Sequence, residues 1–329
     1  MRAQNLDQVI EAYARVGAIN RRQFATLRQA LVRFHEAGLD CMLLKGADLI
    51  LGLYGVMGLR PMADVDLLVH NTDLPRIERI LTELGYRQQI DGNPMYFRHD
   101  QTLALDIITE IWYLDSLEGI WQRAVRRELD GVPTQGMGPN DLLLYLTAYV
   151  VVHRGCLSPS FAQDLTLLVE KESLDWSFIL DEADRHHLRG PLFHGLSYVA
   201  RQNRGRIPEE VITHLAPKGP TEKLLYFVLN AVVTEKQIPG LGHLLLIVTQ
   251  PGFKGWRRLT NSLFPSEAFL RCRYGSQWEA QPLGTRLWRP FYLAAQALLL
   301  TLRLTRVLFT GGRKPRDGPA ARAIRPPQA

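Results

Sequence analysis

The sequence predicts an α+β protein: a small mixed sheet preceded by helices and followed by an α-helical domain. Short apolar runs alternate with a helical segment between about residues 39 and 84, and breaker-rich loops part them. Extended segments joined by turn residues follow, and from about Pro139 the apolar spacing becomes that of helices.

Two helices are expected first, about Leu6 to Val16 and Arg21 to Ala37, because Leu27, Leu31 and Phe34 share a face; Gly38 stops the second. Cys41 to Leu44 is a short apolar run ending in Lys45-Gly46, the pattern of a buried strand that must turn sharply. Ala47 to Tyr54 reads as a helix, and Gly55, Gly58 and Pro61 make a loop before a second strand, Asp64 to Val69. A helix over Leu74 to Leu84 ends at Gly85. Tyr86 to Ile90, Met95 to Arg98 and Thr102 to Ile108 read as an antiparallel meander, turning at Asp91-Gly92-Asn93-Pro94 and His99-Asp100. Helices follow over Asp141 to Val152, Phe161 to Lys171, Trp176 to His187 and Pro191 to Gln202. The expected divisions are helices over 1–38, a catalytic domain over 39–130, a helical domain over 131–310 and a disordered basic tail over 311–329.

At 329 residues, with 46% hydrophobic and 22% charged side chains, the chain has the composition of an ordinary globular protein of about two domains. Its 3 cysteines, Cys41, Cys156 and Cys272, lie far apart without metal-ligand spacing, so neither a disulfide framework nor a zinc site is indicated. A reducing cytoplasm is expected, and the polar start lacks the continuous apolar core of a signal peptide. The net charge of +6 is uneven: from Arg286 onward nine basic residues stand against Asp317 alone, leaving the body slightly negative. A body-wide nucleic-acid groove is therefore not expected, whereas residues 286–329 suit an anionic surface such as a membrane.

Phe291 to Leu302 carries only Gln296 and Thr301 as polar side chains, and Arg289, Gln296 and Arg303 recur every seven residues as one narrow stripe. A helix from Pro290 to Leu302 would span about 20 Å, short of the roughly 30 Å core of a bilayer, so it is not expected to cross one. Packing into the helical domain is the first expectation, and a place in a membrane interface the second.

The chemistry centres on Asp64 and Asp66. Side chains alternate along a strand, so both aspartates project to one side while Val65 and Leu67 enter the core. Carboxylates held that close repel, and a divalent cation relieves them; oxygen ligands suit Mg²⁺, with Mn²⁺ as the alternative. Asp106, in the apolar frame Leu103 to Ile108, offers a third carboxylate. If its strand pairs beside that of Asp64, the three can hold two metals, with Asp106 ligating the second or accepting a proton. Lys45-Gly46 lets backbone amides approach a phosphate and adds a point charge, and the planar fork of Arg60 can clamp another oxygen. Taken singly these residues have blander uses: a solvated aspartate pair, a strand-end lysine, a loop arginine, a strand-edge aspartate. Their order along one short stretch favours the site. His153, Arg154 and Asp164 sit at helix ends and His186-His187 on a helix, where structural use is expected.

The stretches Leu43-Leu44-Lys45-Gly46, Leu53-Tyr54-Gly55 and Gly58-Leu59-Arg60-Pro61-Met62-Ala63-Asp64-Val65-Asp66-Leu67-Leu68-Val69 resemble the uncharacterised bacterial nucleotidyltransferase family of the polymerase-beta superfamily. Leu105-Asp106 continues the likeness, as do, more loosely, Asp141-Leu142, His153, Asp164-Leu165, Phe264-Pro265-Ser266 and Arg273-Tyr274-Gly275. The resemblance implies a nucleotidyl-transfer fold, Mg²⁺ on Asp64, Asp66 and Asp106, and a nucleoside triphosphate held by Lys45, Gly46 and Arg60, ATP being the expected one. The acceptor it leaves open as a small molecule, a peptide or a protein. Gly46-Ala47 stands where many members have Gly-Ser, and Ile107-Ile108 where related sequences often place a histidine. Those departures raise the alternative of a catalytically inactive nucleotide-binding or scaffold protein.

Overall fold

The computed structural model describes residues 2–88, 95–98, 103–202, 207–233, 241–249 and 282–309, with isolated positions between 260 and 270. The two turns of the expected meander, its ends at Ile90 and Thr102, and the basic tail lie outside the described residues.

A single helix, α1 (Arg2–Glu36), replaces the two expected at the start. The stretch Gly17 to Asn20 does not break it, because its polar residue is used in tertiary contact. Asn20 is fully buried, and its Nδ2 donates to the carbonyls of Met57 at 2.6 Å and Arg60 at 2.8 Å. Gln23, one turn on, donates to the carbonyl of Ala63 at 3.4 Å. The loop before Asp64 is thus tied to α1 at three carbonyls. Gly58 permits the approach, since a Cβ there would stand 2.5 Å from the Tyr13 ring.

β1 (Cys41–Leu44) leads into α2 (Lys45–Leu49), which continues as a π-helical turn over Ile50–Tyr54. β2 (Asp64–Val69), α3 (Leu74–Glu83), β3 (Tyr86–Gln88), β4 (Met95–Arg98) and β5 (Ala104–Ile108) follow, matching the expected types with trimmed ends. After a short helix, α4 (Glu118–Gln122), comes a hairpin that the hydrophobic pattern conceals: β6 (Val125–Leu129) and β7 (Val132–Gly136). Its two-residue turn is Asp130-Gly131, with φ of 47° and 81°, the geometry that Asp-Gly supplies. The 7 strands form one mixed sheet in the order β3-β4-β5-β2-β1-β7-β6. β5 runs parallel to β2 and β7 parallel to β1, while the other neighbours are antiparallel.

Alternation along β1, β2 and β5 sorts the chemistry from the core. Leu43, Val65, Leu67, Val69, Leu105 and Ile107 join Phe24, Leu27, Leu31 and Phe34 of α1 and Ile77 and Leu81 of α3 in one apolar cluster. Asp64, Asp66 and Asp106 take the intervening positions.

Two compact units divide the chain: the first holds residues 1–143, 171–174 and 266–280, the second the remainder. α5 (Pro139–Ala148) passes into a π-helical turn, Tyr149–Arg154, and α6 (Pro159–Lys171), α7 (Trp176–Arg185) and α8 (Arg189–Gln202) follow. α7 ends two residues early because His187 adopts φ of 57°, and His186 Nε2 lies 3.2 Å from Glu182 Oε2. α9 (Glu209–Leu215), α10 (Pro220–Val232), α11 (Leu241–Val248) and α12 (Pro282–Phe309) complete the described residues. α12 has 28 residues and starts well before the expected Pro290, which it accommodates in its interior. No helix among the described residues is long and apolar enough to cross a membrane.

Two measurements check this account. Replacing Asn20 by Ala removes both donated hydrogen bonds and leaves two carbonyls unpaired, so unfolding in urea should show a loss of about 2 kcal/mol. A midpoint equal to the parent's would show that α1 does not hold the loop. In the second unit burial lowers the His194 imidazole from 6.5 to about 4. The folded form keeps His194 neutral, so its contribution is present above pH 6.5 and is lost as pH falls toward 4. His194→Gln should flatten the fall of the thermal midpoint across that window.

Candidate active site

Antiparallel pairing sets Leu44 opposite Asp66, and the parallel pairing of β2 with β5 sets Asp66 opposite Asp106 and Asp64 opposite Ala104. Lys45, the residue after Leu44, leaves the strand with φ of 48°, a left-handed conformation that costs a non-glycine residue about 1 kcal/mol. Its Nζ reaches Asp66 Oδ1 at 2.5 Å. The sharp turn expected at Lys45-Gly46 is there, and its left-handed residue is Lys45. Gly46 is small because Met62, carried by the loop that α1 holds, packs there, with Cγ 3.2 Å from where a Cβ would stand. Arg60 lies on the same loop and donates to the Pro61 carbonyl at 2.6 Å.

Asp66 is only 3% exposed, and burial pushes its carboxyl up to about 6 against the attraction of Lys45. The charges of Asp64 and Asp106 push it the same way. Burial also raises Asp106, with Lys45 opposing and Asp64 adding. The three carboxylates therefore act on one another across two strands, with a lysine among them. Among the described residues no three or more His, Cys, Asp or Glu side chains stand close enough to hold a metal. The donor set is nonetheless all oxygen, mutually repelling and partly desolvated, which suits a hard divalent cation and not a soft one.

The model of a family described as uncharacterised nucleotidyltransferase matches residues 4–202. The chain belongs to that family. It is thereby placed among enzymes that transfer nucleotidyl groups. No curated protein matches the chain. Among solved structures, the antibiotic-resistance factor ANT(2'')-Ia in solution is 17% identical, covering 56% of this chain and 100% of its own at a TM-score of 0.40. A crystal of ANT(2'')-Ia with adenylyl-2''-tobramycin gives 15% identity, 55% and 99% coverage and a TM-score of 0.37. An antigenic nucleotidyltransferase-like protein from Paracoccidioides brasiliensis gives 14%, 59% and 92%, at 0.39.

In this nucleotidyltransferase a further ion pair braces α2, the helix that begins with Lys45. Asp48 is buried; its Oδ1 accepts from Arg127 Nε at 2.8 Å and its Oδ2 from the Met137 amide at 3.2 Å. Burial raises the Asp48 carboxyl to about 6, with Arg127 pulling it down. β6 thereby grips α2 across the sheet edge. A Cβ on Gly52 would stand within the Arg127 guanidinium, and one on Gly136 against Asp48. Sequence reading missed Arg127 because it missed the hairpin; the Asp130-Gly131 turn was the available signal.

Beyond the carboxylates, past Leu68 and Ile108, the same two strands open on a cavity of about 730 Å³. His70, stacked on Trp121 with ring centroids 4.2 Å apart, forms one wall. Glu110, Asp115 and Glu118 line it, and among the described residues no lysine or arginine does. His70 and Glu110 each lie four residues beyond Asp66 and Asp106, about 13 Å along an extended strand.

Arg127→Ala would leave Asp48 buried and uncompensated, a loss of about 3 kcal/mol or more. The pair replaced together, Asp48→Leu with Arg127→Met, should recover much of that loss in a double-mutant cycle of unfolding free energies. Equal losses in the single and double variants would show that Asp48 does not depend on Arg127.

Proposed function

We propose that the chain moves a nucleoside monophosphate from a nucleoside triphosphate, ATP as the expected one, to an acceptor hydroxyl. The observation that carries the reading is the register of β2 on β5, which sets Asp66 beside Asp106 with Lys45 at 2.5 Å. Asp64, Asp66 and Asp106 are the residues that would hold Mg²⁺, or Mn²⁺, which supplies charge neutralisation of the triphosphate and acidifies an attacking hydroxyl. Lys45 brings a cation to the phosphates, and Gly46, just after the turn at Lys45, and Arg60 lie on the two segments that flank them. Asp106, whose burial raises its proton affinity, is the group suited to take the acceptor's proton. The His70–Trp121 cavity is the proposed acceptor side, and its carboxylate lining favours a cationic acceptor.

A second reading, nucleotide binding without transfer, draws on Ala47. Its side chain is a methyl group, which offers no hydroxyl to a phosphate, and it is fully buried in the core.

Pyrophosphate release with each of the four common ribonucleoside triphosphates and Mg²⁺, using cell extract as acceptor pool, tests both. With Asp64→Asn and Asp66→Asn together, release should fall by a hundredfold or more, about 3 kcal/mol of barrier, while the thermal midpoint is kept. Undiminished release in that variant would sink the reading. Binding of the Mg²⁺–nucleotide with no release by the parent would favour the second.

A further inference from the structure

The outward side of α12 is apolar. Leu283 and Phe291 are each 74% exposed, Leu287 69%, Leu298 60% and Leu302 55%, and Trp288 and Leu299 are exposed beside them. At about 100° per residue these seven fall within one half of the helix surface, accompanied by the exposed Ala294 and Ala295. The opposite side is the buried one and includes a charged residue: Arg289 is 3% exposed beside Leu293 at 8%, and α12 packs against α10. A soluble surface helix has this pattern reversed. Thr301 and Thr305 on the outer side donate their hydroxyls to the Ala297 and Leu302 carbonyls, each at 2.9 Å, and so need no water; toward the end of the helix Arg306 falls on the same side by the same spacing.

Charge identifies what this face meets. α12 contains four arginines, Arg286, Arg289, Arg303 and Arg306, and no acidic residue, and the sequence after it adds five basic residues against Asp317. Arg286 is exposed at the border of the apolar face. A protein partner with an apolar groove has no general use for such a one-sided excess, whereas a bilayer with anionic headgroups rewards both parts: the acyl boundary takes the leucines and phenylalanine, the headgroups take the arginines. From Leu283 to Leu302 this face runs about 30 Å along the helix and presents far more apolar area than isolated surface leucines do.

We infer that α12 lies in the plane of an anionic membrane, its Leu283–Leu287–Phe291–Leu298–Leu302 face among the acyl chains and the exposed Arg286 at the headgroups. The packing of Arg289 toward α10 and the membrane contact are compatible, because they use opposite sides of one helix.

Sedimentation of the full chain with vesicles tests this. The parent is expected to pellet with vesicles of phosphatidylcholine mixed with phosphatidylglycerol, less with phosphatidylcholine alone, and less as salt is raised. Leu287→Glu with Phe291→Glu should weaken pelleting by about tenfold or more, since two large side chains leave the acyl boundary and two like charges meet the lipid. Because both positions are exposed, the thermal midpoint should hold; Arg286→Glu offers a second variant that reverses a charge at the border of the face and should weaken binding only to the anionic vesicles, its thermal midpoint serving as the control for folding. Failure of the parent to pellet with anionic vesicles, or pelleting unchanged by the double substitution, would overturn the inference. A parent that stays in the supernatant as a dimer, and becomes a monomer on the double substitution, would assign the face to a second copy instead.

Discussion

Carboxylates repel more strongly as water is withdrawn from them, and the parallel pairing of β2 with β5 sets Asp66 beside Asp106 with Asp66 nearly out of solvent. That pairing also supplies the centre of the sheet, so the fold cannot relax the repulsion without breaking its own core. Lys45 answers part of it, from a left-handed backbone conformation that a lysine adopts only under compulsion. Strain at the lysine and proton affinity at the aspartates are two faces of one arrangement, which concentrates charge at the place proposed for the polyphosphate and its cation.

Two ties outside the carboxylates hold that arrangement in place. Asn20 fixes the loop that delivers Arg60 and packs Met62 on Gly46, and Arg127 fixes α2 through Asp48. Each is a buried polar contact that spans a long stretch of sequence, and each costs desolvation that a leucine would avoid. They hold position, which a purely apolar contact does loosely, and position is what the phosphate contact proposed for the Lys45 turn requires.

The second unit shows the complementary use of apolar surface. Its last described helix places an arginine against its neighbour and leucines outward, so its stability does not draw on burial of its most hydrophobic side. The sequence leads one to expect this helix to pack into the helical domain, and it does lie against α10, with the buried Arg289 on its packed side.

Much of this was legible in order along the chain. Period-two alternation fixed Asp64 and Asp66 on one side of a strand and Val65 and Leu67 on the other, and turn residues fixed the ends of β1, β2 and α3, because such patterns act between near neighbours. The hairpin of β6 and β7 escaped because its charged alternation hides a real Asp-Gly turn, and α1 escaped division because Asn20 is spent on a distant loop. Which strand lies beside which, that the left-handed turn falls on Lys45, that Asp48 meets Arg127, and which side of α12 faces outward are decided by contacts between residues far apart in sequence. Local preference sets the period of an element; only the packing of the whole sets its partner, since the free energy of burial belongs to surfaces that the chain brings together on folding.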